Sequence, residues 1–120
     1  MSQDLTIVGL SLPRVDAREK TTGKCLFAAD LYRDRMLYAR VKHAAHPHAK
    51  IAGISVARAR RLQGVVAVAT AADLPGNKCF GGVIRDNYPL ADDKVRYLGD
   101  GVALVAAETP EIAARALDLI

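Results

Sequence analysis

The chain has 120 residues, a formal net charge of +4 and no tryptophan; 51% of it is hydrophobic and 25% charged. These values suit one modest globular domain with a core of Val, Ile, Leu and Ala. No apolar run reaches the roughly 18–20 residues of a membrane span. The stretch Met1–Asp4 lacks the basic start and apolar run of a secretory signal. A cytoplasmic protein with no membrane partner is therefore expected. The basic residues are scattered. Only Arg58, Arg60 and Arg61 cluster, on a predicted helix without interleaved aromatics. That reads as a solvated face and gives no platform for nucleic acid. Cys25 and Cys79 are expected as reduced thiols, too few for a two-iron cluster, which takes four.

In chain order, Leu5–Val8 is short, apolar and expected to be extended. Asp16 and Glu19 have the spacing of a capping box, and Gly23 closes the short helical turn they open. Met36–His43 alternates, with Leu37, Ala39 and Val41 on one side and Tyr38, Arg40 and Lys42 on the other, the pattern of a half-buried strand. Ala49–Ile54 is a second candidate strand after the turn at Pro47. Ser55 caps a helix to about Leu62, and Gly64 stands at its C-terminal stop. Val65–Thr70 reads as a strand covered on both faces, followed by a single turn at Ala71–Leu74 before Pro75-Gly76. Asn77–Pro89 is irregular and turn-rich. Val95–Leu98 is a short strand and Gly101–Ala107 a long buried one. Thr109 caps a final helix with Pro110 at its first position. Ile112, Ala113, Ala116, Leu117 and Ile120 form its apolar stripe. The order of elements gives an α+β class: a mixed β-sheet with two main helices. The last helix shows no stop signal at Ile120, so the chain reads as one domain, 1–120, of a longer protein. Self-association of the fragment through Ile112, Leu117 or Ile120 is expected.

The candidate chemistry is thin. His43, His46 and His48 lie close together, but Pro47 bends the chain between two of them and no carboxylate or thiol is near in sequence to complete a tetrahedral set. Structural roles in a turn are expected instead. Thr22-Gly23-Lys24 resembles the end of a phosphate loop, yet Arg18 occupies the required earlier glycine position and Cys25 follows the lysine. Gly81-Gly82 reads as a turn. Asp92, Asp93 and Asp100 are expected at the surface, and Ser11 and Ser55 have no His and Asp arranged as a triad. No catalytic, cofactor-binding or metal-binding residue is assigned.

Several stretches nonetheless resemble one family in order and spacing. They are Val8-Gly9 with Ser11; Pro13-Arg14-Val15-Asp16-Ala17; Lys20 and Thr22-Gly23-Lys24; Met36-Leu37-Tyr38-Ala39; His46-Pro47-His48-Ala49-Lys50-Ile51; Leu62 to Val68; Ala72 to Gly76; Asp93 to Asp100; and Val102 to Thr109. Together, over about 8–120, they are similar to the a/b hammerhead domain opening the molybdenum-binding large subunit of the xanthine dehydrogenase/aldehyde oxidase family. Gly101, Gln63 and His43-Ala44-Ala45 depart from the family's usual residues.

The resemblance implies a parent enzyme that hydroxylates aldehydes or nitrogen heteroaromatics with oxygen from water. It implies molybdopterin-bound molybdenum, iron–sulfur clusters and FAD elsewhere in that parent, and none of them here. The implied partners are the remaining molybdopterin-binding part of the large subunit and iron–sulfur and flavin subunits or domains. A natural start at Met1 would put the last two on separate chains. The competing reading is a stand-alone, non-catalytic protein-interaction module that uses the arginine-bearing helix or the 77–89 loop.

Overall fold

The computed structural model describes residues 7–120 and divides into two compact units, 1–34 and 35–120. Of the expected extended stretch Leu5–Val8, the first two residues lie outside the described part, and Ile7 and Val8 enter a turn.

In the first unit, helix α1 (Ala17–Thr21) forms where the Asp16 and Gly23 signals place it. The capping box itself is not made. The Asp16 side chain caps no backbone N–H, because it pairs with Arg14 at 2.7 Å and Lys20 at 2.6 Å. A 3-10 turn follows at Ala28–Asp30, where Asp30 accepts the Phe27 N–H at 2.9 Å.

The second unit contains β1 (Tyr38–His43), β2 (Ala49–Lys50), α2 (Ala57–Arg60), β3 (Val65–Thr70), β4 (Lys94–Val95), β5 (Gly101–Ala107) and α3 (Pro110–Leu117). One sheet has the order β1-β5-β3 and a second pairs β2 with β4. All pairings among the described residues are antiparallel, which refines the mixed sheet read from the sequence. The α+β class stands. The core cluster is Ala59, Val68, Val105 and Ala116, so α2 and α3 cover the sheet face that carries Val68 and Val105.

Among the described residues, only β5 is flanked by strands on both edges, and Ala103, Val105 and Ala107 on it are 0% exposed. The other apolar run, β3, is an edge strand, and Val66 on it is 57% exposed. The expectation that β3 is covered on both faces is therefore corrected: a continuous apolar run does not reveal which strand is central. Arg60 of α2 blunts this edge by donating to the Val68 carbonyl at 3.1 Å.

The facing of β1 is a point that the period-two pattern leaves open. In register, Arg40 lies opposite Val105 and Lys42 opposite Ala103. Paired residues share a face, so the polar row of β1 lies on the helix side. Lys42 Nζ donates to the Leu117 carbonyl at 2.9 Å, in the last turn of α3, where a cation suits the helix dipole. Arg40 acts on Glu111 in the first turn. Leu37, Ala39 and Val41 consequently fall on the opposite face.

Helix α3 starts as expected. Thr109 accepts the Ile112 N–H at 3.3 Å and Pro110 sits in the first turn. Its stripe buries Ala113 and Ala116, while Ile112, Leu117 and Ile120 stay half-buried. The N-cap of α2 is Val56, one residue after the expected Ser55, and no side chain caps it.

Candidate functional site

One polar construction in the second unit is the turn 96–100, clamped onto the end of β1. The Ala44 N–H donates to the Asp100 carbonyl at 2.8 Å, and Gly99 N–H returns to the Ala44 carbonyl at 3.0 Å. His43 Nδ1 lies 2.7 Å from the Gly99 carbonyl. A carbonyl only accepts, so Nδ1 carries the proton in this contact. The Asp100 carboxylate closes the turn by accepting the Arg96 N–H at 3.0 Å. Asp100 is 4% exposed, which corrects its expected surface position. The reason is local: the carboxylate folds back onto its own turn and replaces water at a backbone donor. The four-residue spacing of Arg96 and Asp100 around Gly99 was the available signal.

His43 therefore serves the turn, while His46 and His48 are exposed on either side of Pro47. Among the described residues, no group of three His, Cys, Asp or Glu side chains is placed to hold a metal.

An open groove of about 290 Å³ runs beside β2. Its apolar wall includes Ile51, Ile54, Val95, Val102 and Ile120, and its polar groups include Lys42, Lys50 and His46. Lys42 is already bound to Leu117. No carboxylate or thiol is among the groove's lining residues.

The remaining candidates resolve into structural roles. Gly81 has φ +156, and a Cβ there would stand 1.9 Å from the Ile84 carbonyl oxygen, so the glycine is required by the turn. This turn is framed by the reciprocal backbone bonds of Phe80 and Asn87. Asp92 pairs with Lys78 at 3.1 Å and Asp93 with Arg96 at 3.3 Å. Arg96 also lies over the Tyr88 ring, 4.2 Å from its centroid. Of the arginine cluster, Arg60 is committed to Asp73 at 3.2 Å, while Arg58 and Arg61 are exposed. The Thr70 N–H and hydroxyl, then Arg60, hold the Asp73 carboxyl below its ordinary range. The Glu111 carboxyl is lowered as well, by its own backbone N–H at the helix start, by the Thr109 hydroxyl and by Arg40. Cys25 and Cys79 are free thiols, and Ser11 and Ser55 are exposed. In the first unit, Thr22 and Lys24 are exposed and belong to the turn that ends α1.

Comparison with known proteins gives a consistent result. A family profile described as "Aldehyde oxidase and xanthine dehydrogenase, a/b hammerhead domain" matches residues 22–120. A probable xanthine dehydrogenase subunit of Bacillus subtilis is 48% identical over 107 residues, which cover 89% of this chain and 14% of that protein. The "Nicotinate dehydrogenase large molybdopterin subunit" of Eubacterium barkeri is 42% identical over 120 residues, covering 100% of this chain and 28% of that protein. Among solved structures, the aldehyde oxidoreductase from Desulfovibrio desulfuricans ATCC 27774 superposes with a TM-score of 0.87 at 30% identity, covering 94% of this chain and 14% of that one. The chain thus spans between 14% and 28% of the length of these relatives.

Proposed function

Because this chain belongs to the aldehyde oxidase and xanthine dehydrogenase a/b hammerhead family, we propose that it braces the large subunit of a molybdenum-dependent hydroxylase and carries no catalytic residue itself. The observation behind this reading is the family match across 22–120, joined by relatives whose names specify a xanthine dehydrogenase subunit and a large molybdopterin subunit. In this reading the 120 residues are one domain of a longer, cytoplasmic large subunit. That subunit works with iron–sulfur and flavin subunits or domains, and its substrate is an aldehyde or a nitrogen heteroaromatic.

The parent's molybdopterin is not held here. A pterin and its phosphate call for several convergent polar groups, whereas the groove wall is largely apolar and its Lys42 is engaged by Leu117. The residues present do not fit the group, and no reaction step is assigned to them. Their contribution is positional: a rigid antiparallel sheet keeps neighbouring parts of the large chain at fixed spacing, as the geometry of a reaction centre demands.

The test is to read the gene around these 120 residues and to express the whole frame that contains them, with its companion subunits. Tightly bound molybdenum and hydroxylation that incorporates oxygen from labelled water are expected. The 120-residue chain supplied with cofactor is expected to give no turnover. Turnover by that chain, or a frame that stops after Ile120, would sink the reading; the latter result would favour the stand-alone interaction module.

A further inference from the structure

The helix-free face of the β1-β5-β3 sheet carries an unbroken apolar patch. Register places Val41 opposite Leu104, Ala39 opposite Ala106, Ala67 opposite Ala106 and Ala69 opposite Leu104. These pairs lie on the face away from Val105 and α3. Leu37, 41% exposed, extends the β1 row, and Val66, 57% exposed, meets it in one open hollow. None of these side chains is charged or polar, while Arg35 and Glu108 line the edge of the same hollow. Ala39 and Ala67 are exposed, and Val41, Ala69, Leu104 and Ala106 are half-exposed. Strand alternation of this kind marks a face for burial, yet α2 and α3 occupy the other one.

We infer that this face docks an apolar element of the same large subunit lying outside these 120 residues. The inference rests on the function proposed above. Three observations select that occupant. The strand face itself is apolar, and the charges lining its hollow, Arg35 and Glu108, are of opposite sign, so it offers no net charge with which to recognise an acidic partner. It is small: with alanine supplying half its side chains, it offers on the order of half the roughly 800 Å² per partner of a standard interface, too little to hold a second free copy. A tethered element has no such requirement, because linkage supplies an effective concentration in the millimolar range. Finally, the same fold occurs in a solved chain of which this one matches only 14%, so further parts of one polypeptide accompany it there.

The test places a single cysteine on the face, Ala67→Cys, with Cys25→Ser and Cys79→Ser removing the native thiols. A second reporter, Val83→Cys, serves as reference because Val83 is 101% exposed. Maleimide labelling is timed in the 120-residue chain and in the full-length large subunit. In the full-length protein, A67C is expected to label about a hundred-fold more slowly than in the short chain, with V83C setting the unhindered rate in the short chain. Equal, fast labelling of A67C in both proteins overturns the inference. So does slow labelling in both, which would put the cover within the 120 residues. Protection that grows with concentration of the short chain overturns it in favour of a second copy. Because the fold of the reporter variant must hold, Ala39→Asp gives a second readout. It should lower the melting temperature of the full-length protein more than that of the short chain, and an equal loss in both contradicts docking. Molybdenum content of the same full-length preparation separates the two ideas: metal bound with A67C open refutes docking alone, whereas A67C protected without metal refutes the hydroxylase reading and leaves docking intact.

Discussion

The Asp100 carboxylate, 4% exposed, receives the Arg96 N–H and fixes the turn that holds the end of β1. Asp100→Ala leaves that donor without its partner in a buried setting, at a cost of about 1–3 kcal/mol. Asp100→Asn keeps an acceptor oxygen and should recover most of the loss. Urea unfolding of both variants measures this, and equal losses would show that charge, not the turn hydrogen bond, is what matters. Asp73 makes a pH-dependent contribution of a different kind. Its carboxyl is lowered by Thr70 and then Arg60. A depressed folded-state pKa means the unfolded chain takes up protons first as the pH falls. The stabilisation is therefore complete above the ordinary Asp value of about 3.9 and fades as the pH drops through the folded one. The melting-temperature gap between wild type and Asp73→Asn should be widest near neutrality and narrow below about pH 4. A gap constant from pH 7 to pH 3 would contradict the assignment.

At the scale of elements, α3 depends on two positions outside it. Thr109 accepts the Ile112 N–H, so Thr109→Ala should cost about 1 kcal/mol and Thr109→Ser much less, as read from thermal melts of the two. Gly64 has φ +85, and a Cβ there would stand 2.5 Å from Ile112 Cδ1. Gly64→Ala should cost about 1–3 kcal/mol, from the left-handed backbone and from the displaced Ile112. Adding Ile112→Val removes the clashing methyl and should return only the second part, so full recovery in the double variant would show that the backbone is unstrained. Both α3 and β5 were legible in the sequence because their signals are local: Thr-Pro-Glu at a helix start and a seven-residue apolar run. β2 and β4 shrink to two residues each: the ladder pairs Ala49–Lys50 with Lys94–Val95, and a single further bond, from the Ile51 N–H to the Asp93 carbonyl at 2.9 Å, closes it. The facing of β1 was not legible. Period two separates two faces without saying which one the helices cover, and here Arg40 and Lys42 find α3 while the apolar row does not. Asp100 was missed for a similar reason: an aspartate beside glycine announces a turn, but not that its carboxylate closes that turn in the interior.

For the second unit as a whole, the composition of the core sets the stability. Of the buried apolar residues, seven are alanine: Ala59, Ala71, Ala91, Ala103, Ala107, Ala113 and Ala116. Val105, at the centre of β5, is the one large side chain among the described residues that is fully buried. Alanine burial contributes little area per residue, so the unit sits toward the lower end of the usual 5–15 kcal/mol. A single well-placed truncation should therefore remove a large share. Val105→Ala deletes two methyl groups where Val68 and Ala116 pack, at a cost of about 2–3 kcal/mol with the cavity included. For a domain of this size that corresponds to a fall in melting temperature of about 8–20 °C. Val83→Ala removes the same two methyl groups from a fully exposed site and should leave the melt within experimental scatter. Calorimetry of the pair measures burial directly, since the chemistry of the change is identical. A drop of only one or two degrees for Val105→Ala would mean that neighbours collapse into the space, and that the alanine-rich core is more plastic than its burial implies.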